Sequence, residues 1–250
     1  MDSFISWVGG KKQLRKEIIK RFPSEGVEKY VEVFGGAGWV LFGKEPHKKE
    51  IYNDINGELV NLFRMVKHHP DALEGELLFL LNSREEFFQK KLMRPECMTE
   101  LQRAARMYYL IKASYGSKVD TFGCGFRDVS VIKNLKEVHK RLGKVLIENK
   151  SFEEIIQKQD GEGTLFYLDP PYHGTERIYD IEGGFGEVEH RKLADILRRT
   201  KGKWILSYND DLFIRDLYNG FRIEEIERSN NLGVAAGGNG IFKELIIKNF

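Results

Sequence analysis

Thr164-Leu-Phe-Tyr-Leu-Asp-Pro-Pro-Tyr-His173 decides how this chain is built. Leu165 to Leu168 is an apolar, β-prone run that stops at Asp169, two prolines and an aromatic ring. Proline has no N–H to give to a sheet ladder, so Pro170 and Pro171 end the strand abruptly. What remains is one carboxylate, the carbonyls of a stiff turn and a Tyr face at the carboxyl edge of a buried sheet. Open α/β sheets bind their ligands at that edge. Such a turn can grip an exocyclic amine and stack a flat ring.

Toward the N-terminus the pattern repeats. Lys144–Asn149 reads as another strand, with Phe152 just beyond it and a helix over Glu153–Gln159. Glu50–Asn56 reads as a strand ending in Asn53 and Asp54, followed by a helix over Gly57–His68 for which Asn56 is the better cap. Tyr30–Phe34 is a short buried strand, Gly35–Gly38 a tight turn, and Trp39 opens a helix. That is the first βα unit of a nucleotide-binding half. The dinucleotide fingerprint fails, because Leu41 occupies the third glycine position. Asp54, about 20 residues past the glycine turn, stands where an acid commonly holds ribose hydroxyls. Ser6-Trp-Val-Gly-Gly-Lys-Lys12 lets the backbone approach a ligand but is no Walker loop, since Gln13 follows the lysines.

Toward the C-terminus, Gly174–Glu187 reads as a mobile lid, His190–Thr200 as a helix and Trp204–Asn209 as a strand. Arg222–Glu227 and Ile241–Lys248 read as closing antiparallel strands. Strands and helices alternate at both ends but not in the middle. There, Ser83 and Thr99 look like capping boxes, and Leu101, Ala104, Ala105, Tyr108 and Ile111 form the inward stripe of one helix. The fold expected is an α/β Rossmann-like sheet interrupted by a mainly helical insertion. Residues 1–63 and 145–250 would form the sheet domain, and 64–144 the insertion.

Charge supports the division. The net charge is only +2, yet Arg64 to Lys144 holds 16 Lys and Arg against 10 Asp and Glu. A basic middle in an acidic frame suits a polyanion. Within it, Ala113–Arg127 is a polar loop with Tyr115, Lys118 and Arg127. It reads equally as a base- or phosphate-reaching loop and as a structural hairpin.

At 41% hydrophobic and 31% charged residues the composition suits a soluble globular protein. No apolar run nears the roughly 18 residues of a membrane span. Met1-Asp-Ser-Phe4 opens with an acid, so no signal peptide is expected. Two cysteines are too few for a disulfide framework, and the six histidines lack ligand spacing. A reducing, cytoplasmic location and no metal are expected.

Together, Trp7-Val-Gly-Gly-Lys11, Glu32-Val-Phe-Gly-Gly-Ala-Gly38, Asn53-Asp-Ile-Asn56 and Asp169-Pro-Pro-Tyr172 resemble the DNA adenine-N6 methyltransferases of the Dam type. The tail Lys243–Asn249 joins the resemblance, and the motif order is that of the alpha class. Each motif is weak alone; four in this order and spacing are specific. The resemblance implies S-adenosylmethionine as methyl donor and double-stranded DNA as substrate. It implies cofactor contacts from Trp7, Lys11, Asp54 and Asp169, with Glu32, Phe34, Gly36 and Ile55 lining the pocket. Phe34, Ile55 and Phe152 would sandwich the cofactor's adenine.

Asp169, Pro170 and Tyr172 would be the catalytic residues, acting on an adenine flipped out of the duplex. Tyr115, Lys118 and Arg127 would contact DNA, and a cognate restriction endonuclease is an admissible partner. The sequence departs from the family at Ser151, where some members carry Asp, and at Ser6, where many carry Lys. The Tyr115–Phe126 loop also looks shorter than the usual recognition hairpin, so no target sequence is carried over. Two other readings of the same residues stand beside it. One is an amino-methyltransferase for cytosine N4, an RNA base or a protein glutamine; the other is a non-catalytic DNA-binding module.

Overall fold

In the computed structural model, residues 1–125, 128–174, 184–229 and 241–250 are described. Among them the strands form one seven-stranded sheet in the order β3-β2-β1-β4-β5-β7-β6. The strands are β1 (Lys29–Glu32), β2 (Lys49–Asn53), β3 (Val145–Glu148), β4 (Thr164–Leu168), β5 (Lys203–Asn209), β6 (Arg222–Ser229) and β7 (Ile241–Lys248). All neighbours from β3 to β5 run parallel; β7 is antiparallel to β5 and β6. The expected α/β sheet with closing antiparallel strands is therefore what the chain forms. Every residue of β4 is buried, and Pro170 and Pro171 end it as their missing N–H groups require.

The strand order reverses between β1 and β4, which lie side by side with Glu32 opposite Tyr167. At such a switch point the connections leave in opposite directions and a crevice opens beyond the strand ends. The glycine turn after β1 and Asp169 after β4 border that crevice. Alternation along the strands divides the core in two. Tyr30, Tyr52, Tyr167, Ile205 and Ile246 face one way with the helices near the N-terminus, while Val31, Phe166, Leu168, Leu206 and Ile247 face the other.

The helices are α1 (Arg15–Lys20), α2 (Trp39–Gly43), α3 (Gly57–His68), α4 (Pro70–Leu77), α5 (Arg84–Leu92), α6 (Glu100–Ala113), α7 (Leu135–Leu142), α8 (Phe152–Gln159), α9 (Glu187–Arg199) and α10 (Leu212–Leu217). Asn56 caps α3, its side chain accepting from Glu58 N and Leu59 N. Thr99 and Gln102 form the expected capping box on α6. Ser83 caps α5 by accepting from Glu86 N. Pro70 does not simply close α3 but opens α4 at its first turn, where a missing N–H costs nothing.

α3 crosses the expected boundary between residues 63 and 64 without a break. It packs against α6 and α7 as well as β3. One buried cluster runs from Phe4 and Tyr167 through Leu62 and Phe63 to Ala104 and Ile111, so sheet and insertion share a core.

Candidate active site

The glycine turn is shaped by a ring beneath it. Tyr52 lies so close to Gly35 that an added Cβ would collide with its ring. Tyr52 also donates its phenol hydrogen to Gly36 O at 2.7 Å. Gly36 has φ +50, and a Cβ there would meet the Trp7 ring at 3.1 Å. Only glycine combines that conformation with that approach. Asn53 ties the neighbouring strand ends together, donating to Val33 O at 2.9 Å and Lys150 O at 3.0 Å.

Asp54 braces the same turn. Its Oδ2 accepts from Gly36 N and its Oδ1 from Asn56 N, both at 2.8 Å. Burial raises its pKa, opposed by the backbone N–H groups of Asn56, Gly36 and Ile55. The carboxylate keeps acceptor capacity beyond these bonds for a ligand. Glu32, 2% exposed, accepts from Tyr30 OH at 2.6 Å. Burial pushes its pKa up to about 8, against the Tyr30 hydrogen bond, the Lys44 charge and the Leu41 N–H. At neutral pH Glu32 is thus mainly a neutral acid.

The Asp-Pro-Pro-Tyr turn adds a second set of groups. Asp169 Oδ1 lies 2.8 Å from Lys11 Nζ and accepts from Ser207 Oγ at 2.9 Å. Burial raises the Asp169 pKa and Lys11 pulls it back. Lys11 Nζ also donates to Gly9 O at 2.9 Å and sits 4.7 Å from the Tyr172 ring centroid. That is how the Gly-Gly-Lys motif reaches the strand ends: it delivers a buried ammonium to the Asp169 carboxylate.

A cavity of about 660 Å³ opens over these groups. Trp7, Lys11, Glu32, Phe34, Gly36, Asp54, Ile55 and Asp169 all line it, so the sequence motifs meet in one place. Lys91, Arg106 and the run Ser117–Asp120, from the helical stretch between β2 and β3, line it as well.

A profile of the D12 class N6 adenine-specific DNA methyltransferases matches residues 7–232. The chain belongs to this family. It is 30% identical over 288 residues to the type II methyltransferase M.MjaIII of Methanocaldococcus jannaschii, covering 99% of this chain and 98% of that one. The type II methyltransferase M1.LlaDCHI of Lactococcus lactis is 28% identical, covering 99% of this chain and 95% of its own. The DNA adenine methylase of Haemophilus influenzae is 26% identical, covering 97% and 92%. The protein is accordingly a DNA adenine-N6 methyltransferase.

Not every candidate residue of this methyltransferase faces the cavity. Phe152 stacks behind Phe34, ring centroids 5.9 Å apart, with Phe185 against both. It supports one wall rather than forming it. Ser151, the departure from the family, caps α8 by accepting from Glu154 N at 3.3 Å. Lys118 borders the cavity, whereas Tyr115, 58% exposed, stands outside it. Arg127 and positions 175–183 of the expected lid lie outside the described residues.

Sequence reading passed over Tyr167, Ser207 and Glu244. Tyr167 OH lies 3.1 Å from Ser207 Oγ, and Tyr172 donates to Glu244 Oε2 at 2.8 Å. Their sequence signal was a polar side chain at an inward position of a buried strand, which alternation alone could have flagged.

Proposed function

We propose that S-adenosylmethionine is the methyl donor and that the target adenine swings out of the DNA to meet it beside Asp169. The single observation behind this is the convergence of the glycine turn, Asp54, Lys11 and Asp169 on one cavity at the sheet's switch point. The cavity chemistry fits such a donor. The spare lone pairs of Asp54 suit ribose hydroxyls, Phe34 and Ile55 suit a purine face, and the bare Gly36 backbone admits close approach. When bound, the donor supplies a methyl group on a positively charged sulfur.

The remaining work falls to the protein's own groups. Lys11 and Ser207 both engage Asp169 Oδ1, which leaves Oδ2 to receive one amine hydrogen; the Pro170 carbonyl receives the other. Hydrogen bonds in that plane draw the nitrogen lone pair out of ring conjugation; as the nitrogen–methyl bond forms, the sulfur–methyl bond would break to leave a neutral thioether, and the amine would give up one proton by way of the Asp169 carboxylate. Tyr172 stacks on the base. Transfer is then a matter of proximity and orientation, with no covalent enzyme intermediate. A flipped base is needed because the amine inside a duplex cannot reach the cavity.

In this reading residues 64–144 form the target-recognition part, Tyr115, Lys118 and Arg127 touch DNA, and the protein works in the cytoplasm on DNA. A cognate restriction endonuclease is its natural counterpart. Replacing Asp169 with Ala is expected to lower methyl transfer by about a thousandfold or more, as for loss of a group that orients and polarises the reacting atom. The measurement is transfer of labelled methyl to DNA from cells lacking the modification. A folded Asp169→Ala protein with near wild-type transfer sinks the assignment.

A further inference from the structure

β7 carries a buried acid, Glu244, directly before the apolar run Leu245–Ile247. Glu244 is 2% exposed and lies opposite Asn209 in the β5–β7 ladder. Tyr172 donates its phenol hydrogen to Glu244 Oε2 at 2.8 Å, and Lys11 Nζ stands 4.0 Å from the same oxygen. Lys11 is thus set between two carboxylates and over the Tyr172 ring. Burying ionic groups is expensive, and an apolar side chain of similar volume often serves stability as well or better. Packing therefore gives no reason for an acid here, whereas the alignment of its partners does.

We infer that Glu244 is a positioning residue for methyl transfer. It fixes the angle of the Tyr172 ring through the phenol and shares Lys11 with Asp169. The inference rests on the proposed roles of Asp169 and Tyr172. A tyrosine ring turns about two side-chain torsions, and a hydrogen bond at its far end removes that freedom before the base arrives. Lys11, shared between two acids, does not fully neutralise Asp169. The cluster then favours the positive charge that the amine gains when it is methylated.

The test uses the full chain. Modification-aware sequencing of DNA from cells expressing it locates the target adenine, and a duplex carrying 2-aminopurine there reports flipping and stacking. Glu244→Ala is expected to slow single-turnover transfer about tenfold to a hundredfold, the range for one charge-assisted hydrogen bond. The Michaelis constant for DNA should stay within about threefold. Emission of the flipped 2-aminopurine should rise as stacking loosens, and Glu244→Gln, whose amide oxygen still accepts the phenol hydrogen, should restore the quenched signal. In a Tyr172→Phe background, Glu244→Ala should leave the emission unchanged.

A folded Glu244→Ala protein with wild-type rate and emission overturns the inference, as does an equal emission change in both backgrounds. Should Glu244→Ala not fold, Glu244→Gln carries the test: a quenched signal supports the inference and a bright one overturns it. Active Asp169→Ala instead removes the adenine-site reading itself.

Discussion

The carboxyl edge of the sheet and the loop after α6 face each other across one cavity, yet they are held in opposite ways. At the edge, polar groups are partnered and at least half-buried: Asp169 by Lys11 and Ser207, Glu32 by Tyr30, Asp54 by two backbone N–H groups. In the loop, Tyr115, Lys118 and Asp120 are exposed. Its backbone is strained, with Ser117 at φ +58 and Val119 at φ +61. A β-branched residue there costs about 1–3 kcal/mol and persists only where surroundings impose it. Here Ser114 Oγ accepts from Val119 N at 3.2 Å, and Lys91 grips Asp120 at 2.6 Å. One wall is built from partnered polar groups below the surface; the other presents side chains outward and is held by backbone bonds such as Tyr115 N to Thr121 O at 2.7 Å.

Three changes would break or sharpen this contrast. The largest effect concerns Glu32. Its folded pKa, about 8, lies above the ordinary 4.5, so its contribution to stability is fully present below pH 4.5 and is lost as pH rises through about 8. The full span amounts to on the order of 5 kcal/mol. Glu32→Gln cannot ionise, so its stability relative to wild type should climb between pH 5 and pH 8. Urea unfolding across that range measures the difference, and a flat difference would mean that Glu32 is not held as a neutral acid.

Next comes Asp54→Ala, which removes both the brace on the glycine turn and the acceptor proposed for the ribose. Affinity for S-adenosylmethionine should fall about a hundredfold by calorimetry, the loss expected for charge-assisted hydrogen bonds. Undiminished affinity would remove Asp54 from the cofactor site. The smallest effect belongs to the loop. Lys118→Ala should weaken DNA binding several-fold, about the contribution of one phosphate contact, and flatten the salt dependence by about one unit of slope. An unchanged slope would turn Lys118 from a DNA contact into part of the cavity rim alone.

The basic surplus of the insertion also looks different once folded. Arg103 and Arg106 are drawn to Glu58, Arg103 Nε lying 2.9 Å from Oε1. Arg141 pairs with buried Glu50 beside Lys44, and Lys67 donates to Val145 O at 2.7 Å. Several of the sixteen cations thus join the insertion to the sheet domain, and counting charge along a chain cannot separate them from cations that face outward. Nor could periodicity mark an edge there, because α3 lies inside one buried cluster that the sheet shares with the helices after it.

The sequence by itself determined the sheet, its turns and the family. Strand runs, stopping prolines and tightly spaced glycines act over a few residues, where local sterics settle the outcome. Only the tertiary structure decided that Lys11 would lie on Asp169, that Phe152 would stand behind Phe34, that Ser207 would bond Asp169 and that Glu244 would take the Tyr172 phenol. Those side chains come from strands and loops far apart in the chain, and their meeting depends on sheet order and register rather than on any neighbour in sequence.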